Sequence, residues 1–285
     1  IIEEFVACGY QKLRGWLVKG PVLNLSYQER DISGYLLWRQ RIHPERRFRN
    51  ANEAYNYFHN EIIVNGVEFS NTKALFNVGF TMDNPLANAI TNKERNWKLD
   101  YAEAEWQWYL SGDPSIGKLG EIYGKIPAIW ERMADADGNV RSNYGWQWQR
   151  NDQIHYIVGK LREDKTTRHA AISIYDCKEH STYRNDTPCT YAVQFTVLND
   201  RLNMSVYMRS NDLWYGFCND QYQFSSLQKM IAERLNMDVG WYYHHAHNLH
   251  LYNDKLCLLY TSPSPRDQRG GGVAAGGCEK KGGGG

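Results

Sequence analysis

From about residue 51 the hydrophobic and polar positions fall into regular periods. ANEAYNYFHNEII, starting at residue 51, repeats apolar side chains at three- and four-residue steps and predicts a helix. KALFNVGFTM (73–82) reads as a strand. KLDYAEAEWQWYLSG (98–112) returns to helical spacing, with Gly112 as its stop signal. DQIHYIVGKLRED (152–164) is a further amphipathic helix. HAAISIYD, TYAVQFTVL and RLNMSVYMRS then predict strands, the last two joined through Asn199-Asp200 as a tight hairpin turn. In RLNMSVYM the residues Leu202, Met204, Val206 and Met208 alternate strictly, so one face is expected to be buried. NDQYQFSSLQKMIAERLN predicts an amphipathic helix to about residue 236, and WYYHHAHNLHLY a closing strand that leads into a polar turn. Together these elements predict an α+β domain with a mixed or antiparallel sheet and packed helices.

The pattern fails at both ends. Residues 1–50 are mixed and form an N-terminal extension of no evident role, with an arginine-rich patch at 39–49 that reads as a solvated surface. The stretch from residue 257 is so rich in Pro, Ser and Gly that it predicts disorder. LLYTSPSPRDQRG within it resembles translated adapter sequence, so the natural C-terminus is expected to be missing. The periodic stretch between, residues 51–256, is the expected catalytic domain.

Charge narrows the function classes. Lys and Arg total 33 against 32 Asp and Glu, a net charge of +1, so no field of one sign recruits nucleic acid or an acidic membrane. No apolar run approaches the roughly 20 residues of a membrane helix. The first residues lack the order of a signal peptide, and the chain does not begin with Met. Six cysteines without paired spacing fit free thiols in a reducing cytoplasm.

Several side chains could carry chemistry. Cys189 follows a proline at the mouth of a predicted strand, where it is a nucleophile or a buried structural thiol like Cys218. Glu105, between Trp106 and Trp108 on the helix register, faces either the core, where its pKa would rise, or solvent beside Glu103. Tyr144 precedes Gly145 at a predicted turn. HHAHNLH offers His244, His245, His247 and His250, but alternation on a strand puts 245 and 247 on one face and 244 and 250 on the other. No metal site is expected from them.

These segments also share an order and spacing. TPC at 187–189, MRSND at 208–212, GFCND at 216–220 and LHLY at 249–252, with EWQWYLSGD at 105–113 and SNYGWQW at 142–148, resemble the thymidylate synthase superfamily over residues 51–256. Within it the chain is most similar to phage-type deoxycytidylate hydroxymethylases. The resemblance implies that Cys189 is the nucleophile and that Arg209 and Ser210 hold the nucleotide phosphate. Arg168 would reach the phosphate of a neighbouring subunit, which implies a homodimer; its usual arginine neighbour is His169 here. Glu105 and Tyr144 would handle protons and ordered water, and His250 and Tyr252 the sugar hydroxyl. Asp212, Trp130 and Gly216 would lie on the side of the cosubstrate, 5,10-methylenetetrahydrofolate. For the N-terminal phosphate arginine of the family, Lys73 is the nearest candidate. Thr190 stands where most thymidylate synthases carry a histidine.

Asp220 occupies the position of an asparagine in thymidylate synthases. An amide can donate to uracil O4 and accept from N3–H, whereas cytosine reverses both groups. A carboxyl group accepts from the 4-amino group and, protonated, donates to N3, so Asp220 favours dCMP. The competing reading makes Asn219-Asp220 an ordinary helix N-cap. The implied activity is transfer of a one-carbon unit to C5 of dCMP, with water giving a hydroxymethyl product. Methylation of dCMP or dUMP, or nucleotide binding without turnover, are the alternatives.

Overall fold

The computed structural model describes residues 46–183 and 186–256. Residues 1–45 of the expected extension over 1–50, and the expected disordered tail from 257, lie outside the described residues. The compact unit begins at Arg47 rather than at residue 51, because strand β1 (Arg47–Phe48) already pairs in parallel with Thr81 and Met82. Two residues are too few to show a period, so the pattern could not reveal it.

A mixed sheet forms the centre. Its order is β1, β3 (Thr72–Met82), β8 (Asp238–Tyr252), β6 (Arg201–Met208), β5 (Thr190–Leu198) and β4 (Ala171–Ser173). β2 (Val67–Phe69) pairs with β3, and β7 (Asn211–Asp212) pairs with β8. β8 is antiparallel to β3 and parallel to β6, while β5 is antiparallel to β6 and to β4. The β5–β6 turn is the expected one: Asn199 and Asp200 both have positive φ, 52° and 55°, as a two-residue hairpin of matching twist requires. Leu202, Met204, Val206 and Met208 are all fully buried. Asn203 is buried as well, beside a register shift against β8. Its side chain accepts the Trp241 N–H and donates to the Thr196 and Arg201 carbonyls.

Helices cover one face of this sheet. α1 (Ala51–Asn65) starts at Asn50, whose side chain accepts the Glu53 N–H, and buries Ala51, Ala54, Tyr55, Phe58 and Ile62 at the expected spacing. α2 (Leu99–Ser111) ends at Gly112, whose φ of 65° is the left-handed stop read from the sequence. α3 (Ile116–Tyr123) and α4 (Ala128–Met133) follow, then α5 (Tyr144–Gln149), α6 (Gln153–Glu163) and the short α7 (Cys177–His180). α8 (Gly216–Leu235) lies on the buried face of β6 and β8, and α9 (Asn253–Leu256) replaces the expected polar turn. α8 begins three residues before the apolar period does, because its first turn is held by the site described next.

Candidate functional site

The site grows from the ends of β5 and β6. A register shift at Tyr191 brings Thr190 opposite Met208, so the next residues outward, Cys189 and Arg209, are also neighbours. The Arg209 N–H donates to the Cys189 carbonyl at 2.7 Å. Its guanidinium folds back on the same loop, donating to the Pro188 and Thr187 carbonyls at 3.0 and 2.9 Å and to the Thr187 hydroxyl at 3.1 Å. The arginine thus both anchors the TPC loop and sets a positive charge beside the thiol. Burial pushes the half-buried Cys189 thiol up to about 12, and the Arg209 charge works against that rise. Cys218 is fully buried behind the loop before α8, its thiol against the Leu213 and Trp214 carbonyls, a structural position.

The chain after Arg209 supplies the next groups. Ser210 is half-buried at the end of β6, and β7 sets Asn211 opposite Leu249 and Asp212 opposite His250. Asn211 Nδ2 donates to Asp220 Oδ2 at 2.7 Å. Asp220 is therefore inside the first turns of α8, on its buried face, and is not an N-cap; the helix has already begun at Gly216. Asn219 does not cap either, since its side chain accepts the Trp97 indole N–H at 2.8 Å. Burial holds the Asp220 carboxyl well above the ordinary range, and the nearby Glu105 and Asp212 add to this, while the Asn211 hydrogen bond opposes it. Gly216 sits under this pair: a methyl group there would lie 3.3 Å from Asp220 Oδ2 and 3.5 Å from Asn211 Nδ2.

Glu105 faces the core, 3% exposed, so the core orientation of the two read from the sequence is the observed one. Its carboxyl accepts from the Tyr101 hydroxyl and from Gln223 Nε2, both at 2.9 Å, and Tyr101 in turn accepts the Trp130 indole N–H at 2.6 Å. Gln223 lies one turn beyond Asp220 on α8, which joins the two carboxyl groups through one helix face. Burial pushes Glu105 up to about 7, against the two hydrogen bonds that favour its charged form. Tyr144, buried at the start of α5, has its phenol raised by burial and by the nearby Asp220 and Cys189.

His250 is 7% exposed and its Nδ1 donates to Asn248 Oδ1 at 2.9 Å, which leaves Nε2 as an acceptor suited to a sugar hydroxyl. Tyr252 packs edge-on against it, and its phenol is raised by burial and by Asp212 and Cys189. Asp212 accepts the Trp214 N–H at 2.8 Å, and burial pushes it up to about 6. Trp130 is half-buried, edge-on to Trp108 at 5.3 Å.

Of the residues singled out from the sequence, Cys189, Arg209, Ser210, Asp212, Gly216, Asp220, Glu105, Tyr144, His250, Tyr252 and Trp130 are joined in one continuous set. Arg168 is not among them. It stands on the exposed loop between α6 and β4, with no hydrogen bond or ion pair among the described residues. Lys73 is already engaged, its ammonium on the Ile63 carbonyl at 2.6 Å. Among the described residues no three His, Cys, Asp or Glu side chains are placed to hold a metal ion, and no helix is long and apolar enough to cross a membrane. Sequence reasoning missed Asn211, Gln223 and Tyr101 and weighed His244 only as a metal ligand. The signal was there for Tyr101, one helical turn before Glu105 on the same face.

Comparisons with known proteins bear on the family and the fold. The thymidylate synthase family model matches residues 53–264. A thymidylate synthase of Bacillus mojavensis is 26% identical over 224 residues, covering 70% of this chain and 78% of that one. One of Fusobacterium nucleatum is 27% identical over 194 residues, covering 65% and 69%. The solved structure of thermostable thymidylate synthase A from Bacillus subtilis superposes with a TM-score of 0.60 at 25% identity, over 73% of this chain and 82% of that one. The chain belongs to the thymidylate synthase family.

Proposed function

We propose that the protein is a dCMP 5-hydroxymethyltransferase, adding a one-carbon unit to C5 of dCMP and completing it with water. The observation that carries this reading is the buried carboxyl group of Asp220. Burial makes the carboxyl hold its proton to higher pH than it would in water, and in its protonated form it donates and accepts side by side. That edge matches cytosine N3 and its 4-amino group, and it leaves uracil O4 and N3–H mispaired. Each buried mispaired group costs about 1–3 kcal/mol, enough for strong rejection.

Arg209 and Ser210 hold the phosphate, joined by Arg168 of a second subunit in a homodimer, and His250 and Tyr252 hold the sugar. Cys189 adds to C6: the sulfur–carbon bond forms, the C5–C6 double bond opens, and its electron pair makes C5 nucleophilic. The Asp220 proton at N3 takes up the charge that this addition sends into the ring. Methylenetetrahydrofolate, held by Asp212, Trp130 and Gly216, supplies the carbon at the oxidation level of formaldehyde. C5 bonds to it, and C5 loses its proton as tetrahydrofolate departs. Water adds to the exocyclic methylene, and Cys189 leaves C6 as the C5–C6 double bond re-forms. Glu105, titrating near neutrality, exchanges protons with the water that completes the product, and Tyr144 orients that water.

Methyl transfer to dCMP or dUMP is the second reading, favoured by the relatives, which are called thymidylate synthases. Incubation with dCMP and dUMP in competition, with mass spectrometry of the products, separates them. A hydroxymethyl-dCMP product supports the proposal. A methyl product overturns the hydroxymethyl branch, and a preference for dUMP overturns the base assignment. Asp220→Asn is expected to lower the dCMP/dUMP ratio of kcat/KM by about tenfold or more; an unchanged ratio would remove Asp220 from base selection.

A further inference from the structure

We infer that Asn211 and His244 set the base preference of this site as positioning residues, by fixing which oxygen of Asp220 donates and which accepts. The inference rests on the cytosine reading above. His244, on β8, is fully buried, stacked on Phe80 at 5.1 Å and edge-on to Phe217 at 5.9 Å, so its ring is locked. Its Nδ1 faces Gln221 Nε2 at 3.2 Å and the Tyr242 hydroxyl at 2.8 Å. With the Gln221 amide nitrogen turned toward the ring, Nδ1 accepts and the imidazole proton sits on Nε2. That proton goes to Asn211 Oδ1 at 3.1 Å. The Asn211 amide is thereby oriented with its Nδ2 toward Asp220 Oδ2, the 2.7 Å hydrogen bond.

The relay has a direction, and the direction has a consequence. Oδ2 is kept as an acceptor, with a second lone pair left for the cytosine amino group. The acid proton is left to Oδ1, which has no hydrogen-bond partner among the described residues and is available to N3. Reversal would undo this. With the proton on Nδ1 of His244, the Asn211 amide would turn its carbonyl toward Asp220, and the acid proton would be spent on that carbonyl. Asp220 would then present only acceptors to the base, an edge that suits uracil N3–H. Burial lowers His244 to about 3 and keeps the ring neutral, so one ring nitrogen donates and the other accepts, as a directed relay requires. None of the three relay residues is more than 8% exposed, so water does not compete for these bonds.

The test is equilibrium binding of dCMP and dUMP by calorimetry to the full chain, in the wild type and in Asn211→Leu, His244→Leu and His244→Gln. The wild type is expected to bind dCMP about tenfold or more tighter than dUMP. Asn211→Leu and His244→Leu should bring that ratio close to one, mostly by weakening dCMP. His244→Gln, which can still offer an N–H to Asn211, should recover most of the ratio. A purely structural role predicts equal weakening of both nucleotides, and that result, or an unchanged ratio in a folded variant, overturns the relay alone. If Asn211→Leu does not fold, the two His244 variants decide. A wild type that prefers dUMP, or binds neither nucleotide, overturns the cytosine reading and the relay with it.

Discussion

A carboxylic acid sealed among aromatic rings holds its proton to a higher pH than one in water, and Glu105 is the clearest case in this protein. Its folded pKa of about 7 lies above the 4.5 of an unperturbed glutamate. Between those values the folded chain binds more protons than the unfolded one, so stability falls as pH rises. The contribution is complete below 4.5, declines toward 7 and is absent above it, on the order of 3 kcal/mol across the window. Glu105→Gln has no such proton to lose. Thermal melts of the two proteins at a series of pH values should show the wild type losing stability relative to the variant over that window. Parallel curves would mean that Glu105 ionises freely in the folded state. The same property that costs stability at neutral pH keeps an acid–base group close to its working point.

Elements hold these residues by close approach. α2 carries Glu105 and Tyr109, and α5 carries Tyr144; the two helices meet backbone to backbone at Gly145. A methyl group on Gly145 would lie 2.2 Å from Tyr109 Cα and 2.4 Å from its carbonyl oxygen, neither of which can swing aside. Gly145→Ala should therefore lower stability by about 1–3 kcal/mol. It should lower the rate further than the melt explains, because Tyr144 and Glu105 move apart. Initial rates taken well below the melting temperature check this, and normal rates with a normal melt would contradict it. α2 and the β5–β6 hairpin were legible in the sequence because their apolar periods and stop signals agree. The partners inside the site were not. The buried face of α8 includes Asp220, Gln221, Gln223 and Gln228, residue types that read as solvent-facing. Gln228 illustrates the reason: it donates to the Leu202 and Trp241 carbonyls, partners that only the folded chain brings near. A polar residue whose bonds are all tertiary leaves no period in the sequence.

At the scale of the molecule, one face of the sheet lies under α1 and α8 and the other does not. That second face carries Phe69, Phe76, Tyr207, Tyr243, His245 and His247, packed against one another across neighbouring strands. Phe69, Phe76 and Tyr207 remain 54%, 40% and 36% exposed. A row of this kind suits a second copy of the chain about a two-fold axis. Such a dimer also gives Arg168 something to do, since within its own chain it meets none of the site residues. If Arg168 completes the partner's phosphate site, Cys189→Ser and Arg168→Ala damage different sites of a mixed dimer. One site of a hybrid then contains both lesions, and the other contains neither. Each variant alone should be inactive or strongly impaired, the second chiefly through a raised KM for the nucleotide. Mixing equal amounts after reversible dissociation makes half of the dimers hybrids, each with one intact site, so activity should return to about a quarter of the wild-type value. Recovery can come only from a site shared between two chains. No recovery from demonstrably mixed subunits would place Arg168 in its own chain's chemistry or in none.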